Sequence, residues 1–116
     1  MRFKLIAALV DDNQTDAVID AAREAGATGA TVLTGCRGEG LTRGKTFFGL
    51  DLTGQRDMVL FVVEEHRSRD ILEVVSATAG FEDAPGRGIA LVLDIEDAVG
   101  LGQQIATIKQ EIEEEI

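Results

Sequence analysis

The sequence predicts an α+β fold of the ferredoxin-like kind: a βαβ-βαβ sandwich with a long loop between strands 2 and 3 and a C-terminal amphipathic helix. Three observations carry this. Four short apolar runs alternate with two helical patterns in the order strand-helix-strand, loop, strand-helix-strand. A length of 116 residues suits one domain, residues 1–116. Six glycines fall in the single stretch 35–54, which interrupts regular structure there.

Residues 2–10 predict the first strand, ending in the unbroken apolar run IAALV expected of a strand buried on both faces. Asp11, Asp12 and Asn13 supply N-cap chemistry for a helix over 14–25. Ala17, Val18, Ala21, Ala22 and Ala25 form its small apolar stripe, and Gly26 ends it. A second strand is predicted over 30–34. Residues 57–65 (DMVLFVVEE) give the clearest strand of the chain. Ser68 or Asp70 caps a helix running to Ala79, with Ile71, Leu72, Val74 and Val75 apolar and Gly80 at its end. Residues 89–95 (IALVLDI) form the fourth strand. The C-terminal helix covers about 103–116, with Ile105, Ile108, Ile112 and Ile116 spaced by three, four and four. Two helices cover only one face of such a sheet, so the doubly apolar strands predict a second surface that needs a partner.

Composition excludes several functions. Eleven Lys and Arg against 21 Asp and Glu give a charge of −10. That argues against nucleic acid, whose binding relies on neutralising phosphates, and against anionic membranes. No apolar run approaches the ~20 residues of a membrane-spanning helix. The N-terminal apolar stretch is short for a signal peptide, so a cytoplasmic setting is expected. A single cysteine, Cys36, excludes an internal disulfide and a multi-cysteine zinc site. No Ser-His-Asp, Cys-His or paired-carboxylate pattern stands out, and no enzyme activity, metal site or obligate cofactor is expected.

Against the acidic background, the loop 36–56 is basic. Arg37, Arg43, Lys45 and Arg56 face only Glu39 and Asp51. Glycine lets backbone N–H groups approach an anion, and Arg offers paired donors to phosphate. The same composition also fits a solvated hairpin. Phe47 and Phe48 within the loop either pack on the domain's own sheet or dock a partner. The turn before the fourth strand reads Pro85-Gly86-Arg87-Gly88; it is a tight turn or an anion cradle. Cys36 beside Arg37, His66 after two glutamates, and the glutamate-rich C-terminus fit ordinary structural or solvated positions.

Taken together, GATGATVLTGCRGEG and PGRGIALVLDIEDAVGL resemble the second strand with the start of the T-loop, and the B-loop with the following strand, of the P-II nitrogen-regulatory signalling family. The resemblance runs from Phe3 to about Leu101. It implies a homotrimer that binds an adenine nucleotide in inter-subunit clefts and reports ligand state through the T-loop, about 36–56, to an enzyme or membrane transporter. By residue, Gly38 and Gly40 match the T-loop base, Thr31 a threonine near the adenine pocket, and Gly86, Arg87 and Gly88 the phosphate-holding B-loop. Three positions depart from the pattern. Ile89 stands where typical members have a phosphate-binding Lys, Gly100-Leu101-Gly102 where they have two Arg, and Phe47-Phe48 where many have a modified Tyr. Arg87, Arg37 or Arg43 are the candidates to replace the missing cations. The implied ligand is therefore an adenine nucleotide or another small anion, and Arg43, Lys45, Phe47 and Phe48 are the implied partner contacts. A trimer like the divalent-cation-tolerance proteins is an alternative, disfavoured by the basic loop. An ACT-like small-molecule-binding module is another, disfavoured by the loop's length.

Overall fold

The computed structural model describes residues 1–36, 46–47, 50–51, 55–83 and 86–115. Its main sheet has four strands: β1 (Phe3–Asp11), β2 (Thr31–Cys36), β5 (Arg56–Glu64) and β6 (Ile89–Asp94). They lie in the order β2-β5-β1-β6, with every neighbouring pair antiparallel. This is the ferredoxin-like arrangement that the element order predicts. Two short strands inside the loop, β3 (Thr46–Phe47) and β4 (Leu50–Asp51), pair as a separate antiparallel ribbon.

Helices α1 (Thr15–Glu24) and α2 (Ser68–Ala79) pack on one face of the sheet. Strand alternation determines what they cover. Ile6, Ala8 and Val10 of β1 and Val59, Phe61 and Val63 of β5 join Val18, Ala22, Ile71, Val75 and Ala79 in one buried core. The other face carries Leu5 and Ala7 of β1, Met58, Leu60 and Val62 of β5, Leu33 of β2, and Leu91 and Leu93 of β6. This assignment follows from the register Ala7↔Leu60, Ala7↔Leu91, Leu5↔Leu93 and Leu33↔Met58. No helix lies over it among the described residues. Leu33, Leu91 and Leu93 are 51%, 46% and 44% exposed. The two central strands are thus buried on the helix side, while the other face is open at Leu33, Leu91 and Leu93 and closed at Leu9.

The helix starts differ from expectation. A 3-10 turn at Asp12–Gln14 precedes α1, whose N-cap position is Gln14 with no side-chain cap. Of the expected capping residues, Asp11 is drawn to Arg56; Thr15, the first residue of the helix, donates its hydroxyl to Asp57. A second 3-10 turn, Glu65–Arg67, precedes α2. Glu64 accepts from its His66 N–H, while the Ser68 hydroxyl donates to the Glu65 carbonyl, so neither Ser68 nor Asp70 caps α2. Both predicted stop glycines hold, with Gly26 at φ +114° and Gly80 in the left-handed region at φ +68°. Ala17 of the predicted α1 stripe is exposed, and Thr15 takes a buried place instead.

Helix α3 (Gly102–Glu115) begins one residue before the expected start. It lies along residues 23–28 of its own chain. Ile108 is buried, Glu111 pairs with Arg67 at 2.6 Å, and Ile112 is exposed. Among the described residues, no helix is long and apolar enough to cross a membrane.

Candidate anion-binding turn and loop base

Four chain segments converge at one end of the sheet: the end of β1 at Asp11, the end of β2 at Cys36, the start of β5 at Arg56, and the turn Gly86–Gly88 leading into β6. Cys36 is the ladder partner of Arg56, and Asp11 is its partner on the other side. The loop therefore leaves at Cys36 and returns at Arg56 on the adjacent strand, next to Asp11.

Arg56 organises this end. Its side chain is 7% exposed. Nη1 lies 3.1 Å from Asp11 Oδ1 and donates to the Arg87 carbonyl at 3.2 Å, while Nη2 donates to the Gly86 carbonyl at 3.0 Å. The planar guanidinium fork suits several fixed acceptors at once. Its grip also sets the direction of the turn. Every described peptide bond is trans, so each N–H points opposite to the C=O of the same peptide group. With the carbonyls of Gly86 and Arg87 held by Arg56, the N–H groups of Arg87 and Gly88 are directed to the opposite side. Successive amides that face one side are the kind of donors an anion site uses.

Glycine at both ends is required. Gly86 has φ +79° and Gly88 φ +148°, backbone that other residues rarely adopt. A Cβ on Gly88 would sit 2.4 Å from the Leu9 carbonyl oxygen and 2.3 Å from the Phe81 ring. The turn is therefore pressed against β1 and Phe81.

The helix behind it is anchored in the same region. The Thr15 hydroxyl donates to Asp57 Oδ2 at 2.7 Å, both residues being buried, and the Asp12 N–H donates to the Gln55 carbonyl at 3.1 Å. Cys36 Sγ lies 3.3 Å from the Leu33 carbonyl, consistent with a local role for the thiol.

The sequence-predicted residues are distributed as follows. Gly86, Arg87 and Gly88 form the turn. The Arg87 side chain is exposed; its guanidinium and the Asp83 carboxylate both come within 4 Å of where a Cβ on Gly80 would sit, at the C-terminal end of α2. Thr31 is exposed on β2, the opposite edge strand. It faces Leu60 in the ladder, so three strand spacings, roughly 14 Å, separate it from β6 within one chain. Arg37, Gly38, Gly40, Arg43, Lys45 and Phe48 lie outside the described residues. Phe47 is placed in β3, with only its backbone described. Ile89, at the position of the expected Lys, starts β6 opposite Leu9. Gly102 lies within α3 rather than in a connector.

Arg56 is the residue that sequence reasoning missed as part of the site. It counted only as one of the loop's four cations. The available signal was an arginine at the first position of an apolar strand, where a buried cation needs fixed acceptors.

No group of three or more His, Cys, Asp or Glu suited to a metal occurs among the described residues. The family described as nitrogen regulatory protein P-II matches residues 3–104. No curated relative matches the sequence. Among solved structures, the chain is similar to CPII from Thiomonas intermedia, described as bound to ADP, AMP and acetate. The TM-score is 0.64 at 20% identity, covering 83% of this chain and 88% of that one. It is also similar to a functionally unknown protein from Pediococcus pentosaceus, with TM-score 0.62 and 20% identity, over 86% of this chain and 98% of that one.

Proposed function

This chain belongs to the nitrogen regulatory protein P-II family, and on that premise we propose a single P-II-like domain over 1–116 that works as a non-enzymatic homotrimeric sensor in the cytoplasm. It binds an adenine nucleotide or another small anion in clefts between subunits. Through the T-loop, with Arg43, Lys45, Phe47 and Phe48 as contacts, it regulates a partner enzyme or membrane transporter.

The observation that carries this reading is the Gly86–Gly88 turn. Its two N–H groups face away from a buried guanidinium, leaving a donor surface suited to a phosphate or carboxylate. The acidic chain otherwise repels anions, so a local donor site of this kind is specific. Arg87 supplies the nearest exposed charge, and Arg37, Gly38 and Gly40 come within four residues of Cys36 in the sequence. Thr31 can join such a site only from a neighbouring copy, because within one chain it sits at the far edge of the sheet. That geometry favours a cleft between subunits. The open face with Leu33, Leu91 and Leu93 supports assembly, since burying that apolar area is the dominant favourable term in association. The ADP and AMP of the Thiomonas protein make those nucleotides the first ligands to try.

Calorimetry with ADP and AMP, alongside sedimentation, tests the proposal. Saturable binding is expected from an assembly of three 12.4 kDa chains. Arg87→Ala should weaken binding by roughly 1.5–3 kcal/mol, the range for a hydrogen bond to a charged group. A monomer that binds neither nucleotide refutes the reading.

A further inference from the structure

Arg56 occupies a position that links the loop to the turn. It is the first residue of β5, the strand that leaves the loop, and its ladder partner Cys36 is the last residue of β2, the strand that enters it. From there its side chain passes the end of β1 at Asp11 and reaches two carbonyls in the turn before β6. The peptide groups it holds are the ones whose N–H ends face outward. A guanidinium on the carbonyl end and an anion on the N–H end polarise the same peptide in the same sense, so each strengthens the other's hydrogen bond.

We propose that Arg56 is the positioning residue of the anion-binding turn, and the link by which the two ends of the loop set the turn's shape. This rests on the reading that the turn takes an anion, and it adds how that site is regulated. The cation acts from behind, through two peptide dipoles, in a turn where Ile89 provides no charge. Asp11 holds the guanidinium at a fixed distance from the turn, with 3.0–3.2 Å contacts on its other side. A shift of the strand ends at Cys36 and Arg56 would lengthen those contacts, release the two peptides to rotate, and remove the outward-facing N–H pair. A bound anion would oppose that shift. An ammonium cannot replace the fork, because it is a point charge without the planar pair of nitrogens that reaches Asp11 and both carbonyls together.

The test uses the full chain with two variants. Arg56→Lys keeps the charge and removes the fork. The double variant Asp11→Asn, Arg56→Gln removes both charges together, which avoids leaving either one uncompensated. ADP is the titrant, and the backbone N–H order parameters of Arg87 and Gly88 are measured by nitrogen-15 relaxation, with Val59 and Phe61 as core references. In both variants ADP affinity should fall about tenfold or more, the scale expected for losing one to two hydrogen bonds. The order parameters of Arg87 and Gly88 should drop while the core references stay unchanged. A merely structural role would instead move the core references with the turn. If the wild type binds ADP and the folded variants bind it equally well, Arg56 does not position the turn and the proposal fails. If the wild type binds no ADP, the nucleotide reading fails, and the order parameters alone decide the positioning role. A drop confined to the turn upholds that role, and unchanged order parameters overturn it.

Discussion

At the loop end of the sheet, the Arg56 side chain is 7% exposed and divides its donors between Asp11 and two backbone carbonyls. At the opposite end, each ion pair keeps at least one partner in open solvent. Lys4 pairs with Asp94, whose side chain is 85% exposed, Arg2 pairs with Glu65, and the 85%-exposed His66 ring pairs with Glu64. Both ends are rich in ions, yet they do different work. A buried guanidinium with fixed acceptors specifies backbone shape, because any acceptor left alone there pays a desolvation penalty. Exposed pairs gain little against water and salt. The difference shows where this fold concentrates its specificity: at the end where the loop begins and the turn presents its amides.

The comparison is tested most severely at Gly88. Gly88→Ala puts a methyl 2.4 Å from the Leu9 carbonyl in a backbone with φ +148°. It should destabilise the fold by about 3 kcal/mol, since disfavoured backbone alone costs roughly 1–3 kcal/mol. Chemical denaturation measures this. A loss no larger than that of a surface substitution would show that the turn gives way freely, and the contrast between the ends would lose its basis.

Thr15→Val is a finer probe of the same end. It removes the hydroxyl that donates to buried Asp57 and keeps the shape. A loss of about 2 kcal/mol is expected, because a buried carboxylate is left short of one donor. An unchanged denaturation midpoint would mean that water replaces the hydroxyl without penalty.

Much of the fold was legible because it rests on local periodicity. The alternation of IAALV, MVLFVV and IALVLD marked the core strands, and Gly26 and Gly80 marked the helix ends. The P-II match bears out the resemblance read from the Gly86-Arg87-Gly88 turn and the glycines around Cys36. Helix starts were less legible, since Asp11 and Thr15 have capping chemistry but are claimed by Arg56 and Asp57, which lie more than 40 residues away in sequence. Arg56 was missed for the same reason. Its partners at 11, 86 and 87 come from two separate segments, and no spacing rule joins position 56 to them. The open sheet face could be anticipated from doubly apolar strands, but which leucines lie on it depends on the register.

The smallest effect belongs to the far end, and it is a pH effect. His66 Nδ1 lies 2.6 Å from Glu64 Oε1, and Glu64 also accepts from the His66 N–H at 2.8 Å. The hydrogen bond to Glu64, with the charge of that carboxylate, raises the His66 pKa above its ordinary 6.5; Glu65 adds a smaller push in the same direction. A raised folded-state pKa means that the folded state holds the proton more tightly than the unfolded chain does. The resulting stabilisation is complete below pH 6.5 and is lost as pH rises through the folded value. Asp94 works in the opposite sense: its hydrogen bond to Lys4 lowers its pKa below 3.8, so that contribution is present above 3.8 and fades as pH falls through the lowered value. Both groups are solvent-exposed, so screening keeps each contribution small. Melting curves of wild type and His66→Gln should therefore converge as the pH is raised above the His66 value and separate slightly below it, with the wild type more stable. Added salt should shrink that gap, because exposed charges are screened over about 8–10 Å at ordinary ionic strength. A gap that persists in high salt, or that matches the loss from Thr15→Val, would show that the far end carries its ions as tightly as the loop end does.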